Sequence, residues 1–391
     1  MKFSELNLPS DILSSLQKIG FKELTPIQEA TYPVILTGRD ICALAETGSG
    51  KTSACAIPLI QKVDSNSNTI QGLVIVPTRE LCIQYVDEIH KIAIKTPVAV
   101  FAAYGGFDKS IQITKIKHGV HILVATPGRL IDLIYDGVID LTDVKCVVLD
   151  EADRLLEDGF LEDIEFILSC IRQKHQTLLF SATMDEKTKA LTNDCLKNPA
   201  HISLIGTQAT PKNIEHYFAY VSRGTKEKTL LDYLLREKIS QAIIFCNTRR
   251  EVDKLHRILN KRFHDAEYIH AGLEQGKRSS IVRRFRAKKI CYLIATDVAG
   301  RGLDFSHVSH IINWDFPRIE QYTHRTGRTG RMGRKGRAVS LITDGDILAV
   351  REVLRTIKIK PHWLGADPLC QPRKLLSSRR QPKRRYSPPR E

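Results

Sequence analysis

The segment Ala45-Glu46-Thr47-Gly48-Ser49-Gly50-Lys51-Thr52 directly follows the apolar run Ile41-Cys42-Ala43-Leu44 and opens a stretch of small residues suited to a helix start. Glycines at 48 and 50 let backbone N–H groups curl around phosphate oxygens, Lys51 can reach β- and γ-phosphates, and the Thr52 hydroxyl can ligate Mg²⁺. The pattern is a P-loop with Ala45 where the general form has glycine. A dinucleotide-binding turn fits badly, because Ser53 occupies the place of its third glycine. The complementary half of a nucleotide site is an acid at the end of an apolar strand, and Cys146-Val147-Val148-Leu149-Asp150-Glu151-Ala152-Asp153 supplies it. Asp150 can hold Mg²⁺, while Glu151 can orient and deprotonate a water attacking the γ-phosphate. Two carboxylates at one strand end repel each other, a cost that makes sense where a metal and a proton transfer use them.

Residues of these types need strand ends to hold them. Apolar runs of strand length occur at 41–45, 73–76, 122–125, 146–149 and 177–180, and again at 242–246, 267–269, 291–295, 311–314 and 339–342. Stretches of helical period, such as Arg79 to Ala93 and Arg249 to Phe263, lie between them. This order predicts parallel, doubly wound α/β sheets with sites at the carboxyl ends of the strands. The small, polar, proline-punctuated segment 206–212 reads as a linker between α/β domains at 31–205 and 213–360, with a cleft between them. Residues 361–391 read as a basic tail; from Pro372 it is rich in Arg, Ser and Pro, lacks an apolar period and is expected to be disordered in isolation.

The 391 residues are 42% hydrophobic and carry a formal charge of +15, enough apolar mass for full cores and enough positive charge to suggest a polyanion. The charge is uneven. Residues 1–205 hold 20 basic and 26 acidic side chains, residues 206–371 hold 31 and 17, and residues 372–391 hold eight and one. Nine cysteines are scattered singly, never as Cys-x-x-Cys, which disfavours zinc ribbons and disulfide frameworks and suits reduced thiols in a cytoplasmic compartment. No apolar leader follows Met1 and no stretch approaches the roughly 20 apolar residues of a membrane span, so secretion and membrane insertion are not expected.

The P-loop and the Asp150-Glu151-Ala152-Asp153 run resemble motifs I and II of the DEAD-box ATP-dependent RNA helicases of superfamily 2, and further motifs of that family occur in order from residue 3 to about 345. The resemblance implies two tandem RecA-like domains. Phe3, Gly20-Phe21 and Thr25-Pro26-Ile27-Gln28, within a region spanning 1–30, resemble the Q motif, which implies adenine recognition by Gln28, with Phe21 as a stacking face. The segments Pro77 to Leu81, Gly105-Gly106 and Thr126 to Arg129 resemble motifs Ia, GG and Ib, implying RNA-backbone contact at Arg79, Gly106, Thr126 and Arg129. Ser181-Ala182-Thr183 resembles motif III, which implies that Ser181 and Thr183, with Asp153 and His324, couple hydrolysis to RNA binding. Thr248 and Arg278 match motif IV and the Gln-x-x-Arg pair after it, and Thr296 and Asp304 match motif V, implying RNA contact at the first three and ribose contact at Asp304. His324 to Arg331 resembles motif VI, with Arg328 and Arg331 matching the arginine fingers; two guanidiniums reaching across a cleft can stabilise charge on the transferred phosphoryl group. Cys82, Ala271 and Thr326 depart from the usual residues without removing a group assigned chemistry.

The resemblance implies an RNA-stimulated ATPase that uses ATP and Mg²⁺ to unwind short RNA duplexes or remodel RNA–protein complexes with little sequence specificity. The expected form is a minimal two-domain monomer in the cytoplasm. Partners in ribosome assembly or RNA decay stay open. Three rivals are an RNA clamp with little unwinding, disfavoured by Glu151, Arg328 and Arg331; a DNA helicase, disfavoured by the Q motif; and a small-molecule kinase, which needs no second basic domain. The tail reads as an electrostatic RNA anchor, against a solubilising or nuclear-address segment.

Overall fold

The structure is a computed structural model that describes residues 1–45, 49–204, 213–297, 307–330 and 334–370. Its first part runs α1 (Ser10–Lys18), α2 (Pro26–Leu36), β1 (Ile41–Leu44), α3 (Lys51–Lys62), β2 (Gly72–Ile75), α4 (Arg79–Ala93), β3 (Val100–Ala103), α5 (Lys109–Lys117), β4 (Ile122–Ala125) and α6 (Pro127–Tyr135). It continues with β5 (Cys146–Leu149), α7 (Ala152–Glu157), α8 (Leu161–Ser169), β6 (Gln176–Ser181), α9 (Glu186–Cys195) and β7 (Ala200–Ser203). The second part holds β8 (Ile214–Tyr220), α10 (Lys226–Arg236), β9 (Ala242–Cys246), α11 (Arg249–Leu259), β10 (Ala266–Ile269), α12 (Gln275–Arg286) and β11 (Tyr292–Thr296). After it come β12 (His310–Asn313), α13 (Ile319–Thr326), β13 (Gly336–Ile342), α14 (Ile347–Ile357) and β14 (Pro361–Trp363).

Among the described residues the strands form two seven-stranded sheets, ordered β3-β4-β2-β5-β6-β1-β7 and β10-β11-β9-β12-β13-β8-β14. Counting strands from the start of each sheet, the two orders are the same, so β14 occupies the place in the second sheet that β7 holds in the first. The strand pairs are parallel. Helices on both faces explain why β2, β4 and β5 are apolar throughout rather than alternating. Successive residues point to opposite faces: Val148 joins the cluster of Ile27, Ile57 and Tyr85, while Val147 joins that of Leu133, Leu155 and Ile167. Ile244 and Ile243 divide in the same way in the second sheet.

The ten strands expected from sequence are present, with ends shifted by up to three residues, but four more complete the sheets. β7 and β14 are short, half-exposed edge strands, and β3 is an edge strand with two half-buried residues, so none carries a strong apolar run. β8 is long and central, but Glu215, His216 and Tyr217 interrupt its apolar pattern. The expected tail boundary is corrected accordingly. Pro361–Trp363 pairs with β8, and Trp363 and Leu369 pack against Phe218 and Val353, so the fold extends past residue 360. The linker 206–212 and the segment from Pro372 lie outside the described residues. No helix among the described residues is long and apolar enough to cross a membrane.

Candidate nucleotide and RNA site

In the first sheet β5, β6 and β1 are neighbours, which brings the Asp-Glu pair, Ser181 and the P-loop to one carboxyl edge. Ala45 N–H donates to the Ser181 carbonyl (3.0 Å), tying the loop to β6. Gly50 caps α3 with φ +98°, and a Cβ there would fall 2.8 Å from both Gln28 Nε2 and Thr25 Oγ1. Only glycine fits. Lys51, buried at the start of α3, donates to the Ala45 carbonyl (3.0 Å) and lies 3.7 Å from Asp150 Oδ1. Ser49 and Thr52 flank it, half-buried; Glu46, Thr47 and Gly48 lie outside the described residues.

Gln28 is buried in a capping box with Thr25, accepting from Thr25 N–H (2.8 Å) and donating to the Gly50 carbonyl (3.2 Å). The amide expected to meet adenine therefore also grips the phosphate loop, and these bonds use half of its hydrogen-bonding capacity. Phe21 stacks on Phe3 with ring centroids 6.2 Å apart.

Asp150 and Glu151 are both buried. Asp150 Oδ1 accepts from Glu151 N–H (2.8 Å) and Oδ2 from the Tyr85 hydroxyl (2.6 Å). Glu151 adopts the left-handed conformation (φ 54°, ψ 48°), strained for a residue with a side chain, as the chain turns from β5 into α7. Arg154 donates to Glu151 Oε2 at 2.7 Å, while the buried Oε1 has no hydrogen-bond partner among the described residues. Burial acts to raise the Glu151 carboxyl, but Arg154, Arg328 and Lys51 outweigh it and hold it below the usual range. Burial pushes the Asp150 carboxyl up against the opposing pull of Lys51. Adjacent acids are thus driven apart, a common preparation for separate roles.

Asp153, Ser181 and Thr183 meet beside them. Asp153 N–H donates to Ser181 Oγ (3.3 Å), Ser181 Oγ to the Thr183 carbonyl (2.8 Å), and Thr183 Oγ1 to Asp153 Oδ2 (3.2 Å). From the second domain, His324 and Arg328 line a small cleft with Arg154, Phe245 and Asp297, and the Arg328 guanidinium helps to hold the Glu151 carboxyl down. Arg331 and Asp304 lie outside the described residues.

The residues assigned to RNA sit at carboxyl strand ends of both sheets. Gly106, with φ +76°, lies under the Arg79 guanidinium, where a Cβ would come 2.1 Å from Nη1. Arg129 donates to the Phe107 carbonyl at 3.4 Å, and Thr126 precedes α6. Thr248 caps α11, and Thr296 ends β11. Arg278, in α12, pairs with Glu80 of the first part, at 2.8 Å.

Four residues escaped the sequence reading. Tyr85 and Arg154 hold the carboxylates, Glu80 receives Arg278, and Arg325 forms a buried hub. Arg325 grips Asp297 with two 2.6 Å bonds, reaches Asn247 Oδ1 at 2.9 Å, and donates to the Asp315 carbonyl at 2.8 Å. A signal existed for Tyr85, since a tyrosine on the apolar stripe of Cys82, Ile89 and Ile92 has a hydroxyl that must find a partner when buried.

Among the described residues no group of three or more His, Cys, Asp or Glu could hold a metal unaided. Mg²⁺ is commonly held by one or two carboxylates together with substrate phosphates. The Thr52 hydroxyl, next to Lys51, and the Asp150 carboxylate, 3.7 Å from the Lys51 ammonium, are hard-oxygen donors that fit such a group.

Residues 25–191 match the family model of the DEAD/DEAH box helicases, and residues 225–333 match that of the helicase conserved C-terminal domain. Over 368 residues the chain is 43% identical to the DEAD-box ATP-dependent RNA helicase CshA of Bacillus cereus, covering 94% of this chain and 70% of that protein. The chain belongs to the DEAD-box ATP-dependent RNA helicases. Another DEAD-box relative, CshA of Geobacillus kaustophilus, is 42% identical over 92% of this chain and 77% of its own. Among solved structures, S. cerevisiae Dbp5 bound to RNA and ADP BeF3 matches with a TM-score of 0.85 at 26% identity, covering 93% of this chain and 95% of that one. Mss116 bound to ssRNA and UDP-BeF matches with a TM-score of 0.84 at 30% identity, covering 94% and 80%. The two sheets are the tandem RecA-like domains of the DEAD-box fold.

Proposed function

We propose that this DEAD-box protein hydrolyses ATP in an RNA-stimulated manner at the junction of its two sheets and uses the cycle to separate or remodel short RNA structures. One observation carries the reading: Arg154, which donates to Glu151 in the first domain, lines one cleft with Arg328 of the second, and Arg328 helps to hold the Glu151 carboxyl down. A hydrolytic carboxylate and an arginine finger in different domains form a complete site only when the domains meet. A ligand that touches both domains favours the closed form, which links RNA binding to turnover.

In this reading Lys51 and the backbone of the P-loop hold the phosphates, Gln28 and Phe21 the adenine, and Asp304 the ribose. Thr52 and Asp150 would hold Mg²⁺, which when bound offsets charge on the β- and γ-phosphate oxygens. Glu151, kept ionised by Arg154 and Arg328, orients water and accepts its proton at Oε1. Arg328, with Arg331, stabilises charge on the departing phosphates. Asp153, Ser181, Thr183 and His324 connect this chemistry to RNA, whose backbone meets Arg79, Gly106, Thr126, Arg129, Thr248 and Thr296. Arg278 takes part by bridging the domains at Glu80.

The domain division at 206–212, a monomeric state and a cytoplasmic setting belong to the same proposal; nine free cysteines support the last. The basic segment from Pro372 is assigned to untargeted RNA anchoring. ATP hydrolysis by wild type and Glu151→Gln, with and without RNA or single-stranded DNA, tests the core reading. Stimulation by RNA that Glu151→Gln abolishes is expected. Equal wild-type rates in all conditions, or stimulation by DNA alone, would overturn it.

A further inference from the structure

Tyr85 stands in the middle of α4 with no exposed surface, and its hydroxyl donates to Asp150 Oδ2 at 2.6 Å. The other oxygen of that carboxylate accepts from Glu151 N–H (2.8 Å) and faces Lys51 Nζ at 3.7 Å. A carboxylate held by one hydrogen bond can pivot about its Cβ–Cγ bond, whereas one held at both oxygens cannot do so without breaking a bond. An aromatic ring alone would fill the same space between α3 and β5. The hydroxyl adds a charge-assisted hydrogen bond that a phenylalanine would lack.

The helix that carries Tyr85 gives this contact further meaning. Arg79 and Glu80 occupy the first turn of α4, about 9 and 7.5 Å from Tyr85 along the axis at about 1.5 Å per residue. The same helix meets the P-loop helix, where Ser53 donates to Glu88 and Cys55 lies beside the Tyr85 hydroxyl. One rigid rod thus touches the proposed RNA edge, the opposite domain, the P-loop helix and the carboxylate.

We propose that Tyr85 is a positioning residue for Mg²⁺ and ATP, its hydroxyl fixing the Asp150 carboxylate so that Oδ1 stays directed at Lys51. The inference rests on the proposed role of Asp150 as a metal ligand. It assigns Tyr85 no contact with the nucleotide.

The test is equilibrium binding of a fluorescent ATP analogue to the full chain across a Mg²⁺ series and in EDTA. Tyr85→Phe should need roughly tenfold more Mg²⁺ for half-maximal binding, the usual effect of removing an outer partner of a metal ligand, with binding in EDTA unchanged. Raising Mg²⁺ should restore its turnover. Tyr32→Phe, which removes another buried hydroxyl, one that donates to Gln61 at 2.8 Å, should behave as wild type. A wild-type Mg²⁺ requirement in Tyr85→Phe overturns the inference, as does equal weakening in EDTA, which would mean that the hydroxyl only supports the fold. Asp150→Asn separates the two levels: if it keeps the wild-type Mg²⁺ response, the metal assignment fails. If Asp150→Asn loses that response while Tyr85→Phe keeps it, only the role of Tyr85 falls.

Discussion

Arg278 of α12 reaches across the cleft to Glu80 of α4, with Nη2 2.8 Å from Oε1, and the two side chains are 13% and 8% exposed. Both belong to motif segments, and each domain contributes one of the two charges. Removing one partner strands the other, at a cost of about 3 kcal/mol in a buried pair. Glu80→Gln or Arg278→Gln is therefore expected to lower RNA-stimulated ATP turnover by at least tenfold while leaving RNA-independent turnover near wild type. The charge-swapped double variant Glu80→Arg with Arg278→Glu should recover part of the loss. A double variant no better than the singles would show that the pair does not stabilise closure.

Gly106 makes a narrower prediction. With its positive φ, any Cβ at this position is strained and would come 2.1 Å from Arg79 Nη1, so the guanidinium would have to move. Gly106→Ala should displace the guanidinium and weaken RNA binding several-fold, with ATP affinity in the absence of RNA unchanged. An RNA titration of ATPase rate, compared with nucleotide binding alone, separates these effects. Unaltered RNA affinity would remove Arg79 and Gly106 from the proposed strand path.

The sequence made the nucleotide half of this site legible because its chemistry is local. Gly50, Lys51 and Thr52 lie within one turn, and Asp150 with Glu151 end one apolar strand. What stayed hidden was long-range. Tyr85 and Asp150 are 65 residues apart, and neither carries a mark of the other. Arg325 sits in a motif read for its neighbours, yet its partners Asn247, Asp297 and Asp315 come from three other loops. The edge strands escaped for a different reason. β14 is three residues long and half-buried, and only the sheet order it shares with β7 gives it a place.

Arg325 should be the stability hub of the second domain. It is 1% exposed, with a forked pair to Asp297 and further bonds to Asn247, Asn313 and the Asp315 carbonyl. Lysine cannot reproduce the planar fork. Arg325→Lys is thus expected to lower stability by about 3 kcal/mol, read as a reduced urea midpoint with unchanged slope. A wild-type midpoint would mean that the network is dispensable for folding.

Two buried histidines set an acid limit on the same domain. His216 shares a 2.8 Å hydrogen bond between Nδ1 and the Tyr322 hydroxyl, and its Nε2 has no hydrogen-bond partner; burial, with His362 adding to it, pushes its pKa down to about 4. His310 is likewise pushed to about 4 by burial, with Arg337 assisting and Glu237 opposing. In the unfolded chain each returns to about 6.5. Between those values the unfolded chain binds protons that the native state refuses, so stability is fully present above about pH 6.5 and is lost as pH falls toward 4. At about 1.4 kcal/mol per unit, each residue accounts for roughly 3 kcal/mol across that window. Urea unfolding at several pH values from 7.5 down to 4.5, about one unit above and half a unit above the two limits, should give His216→Gln a pH slope shallower than wild type by close to one proton. Equal slopes would mean that His216 is protonated in the native state.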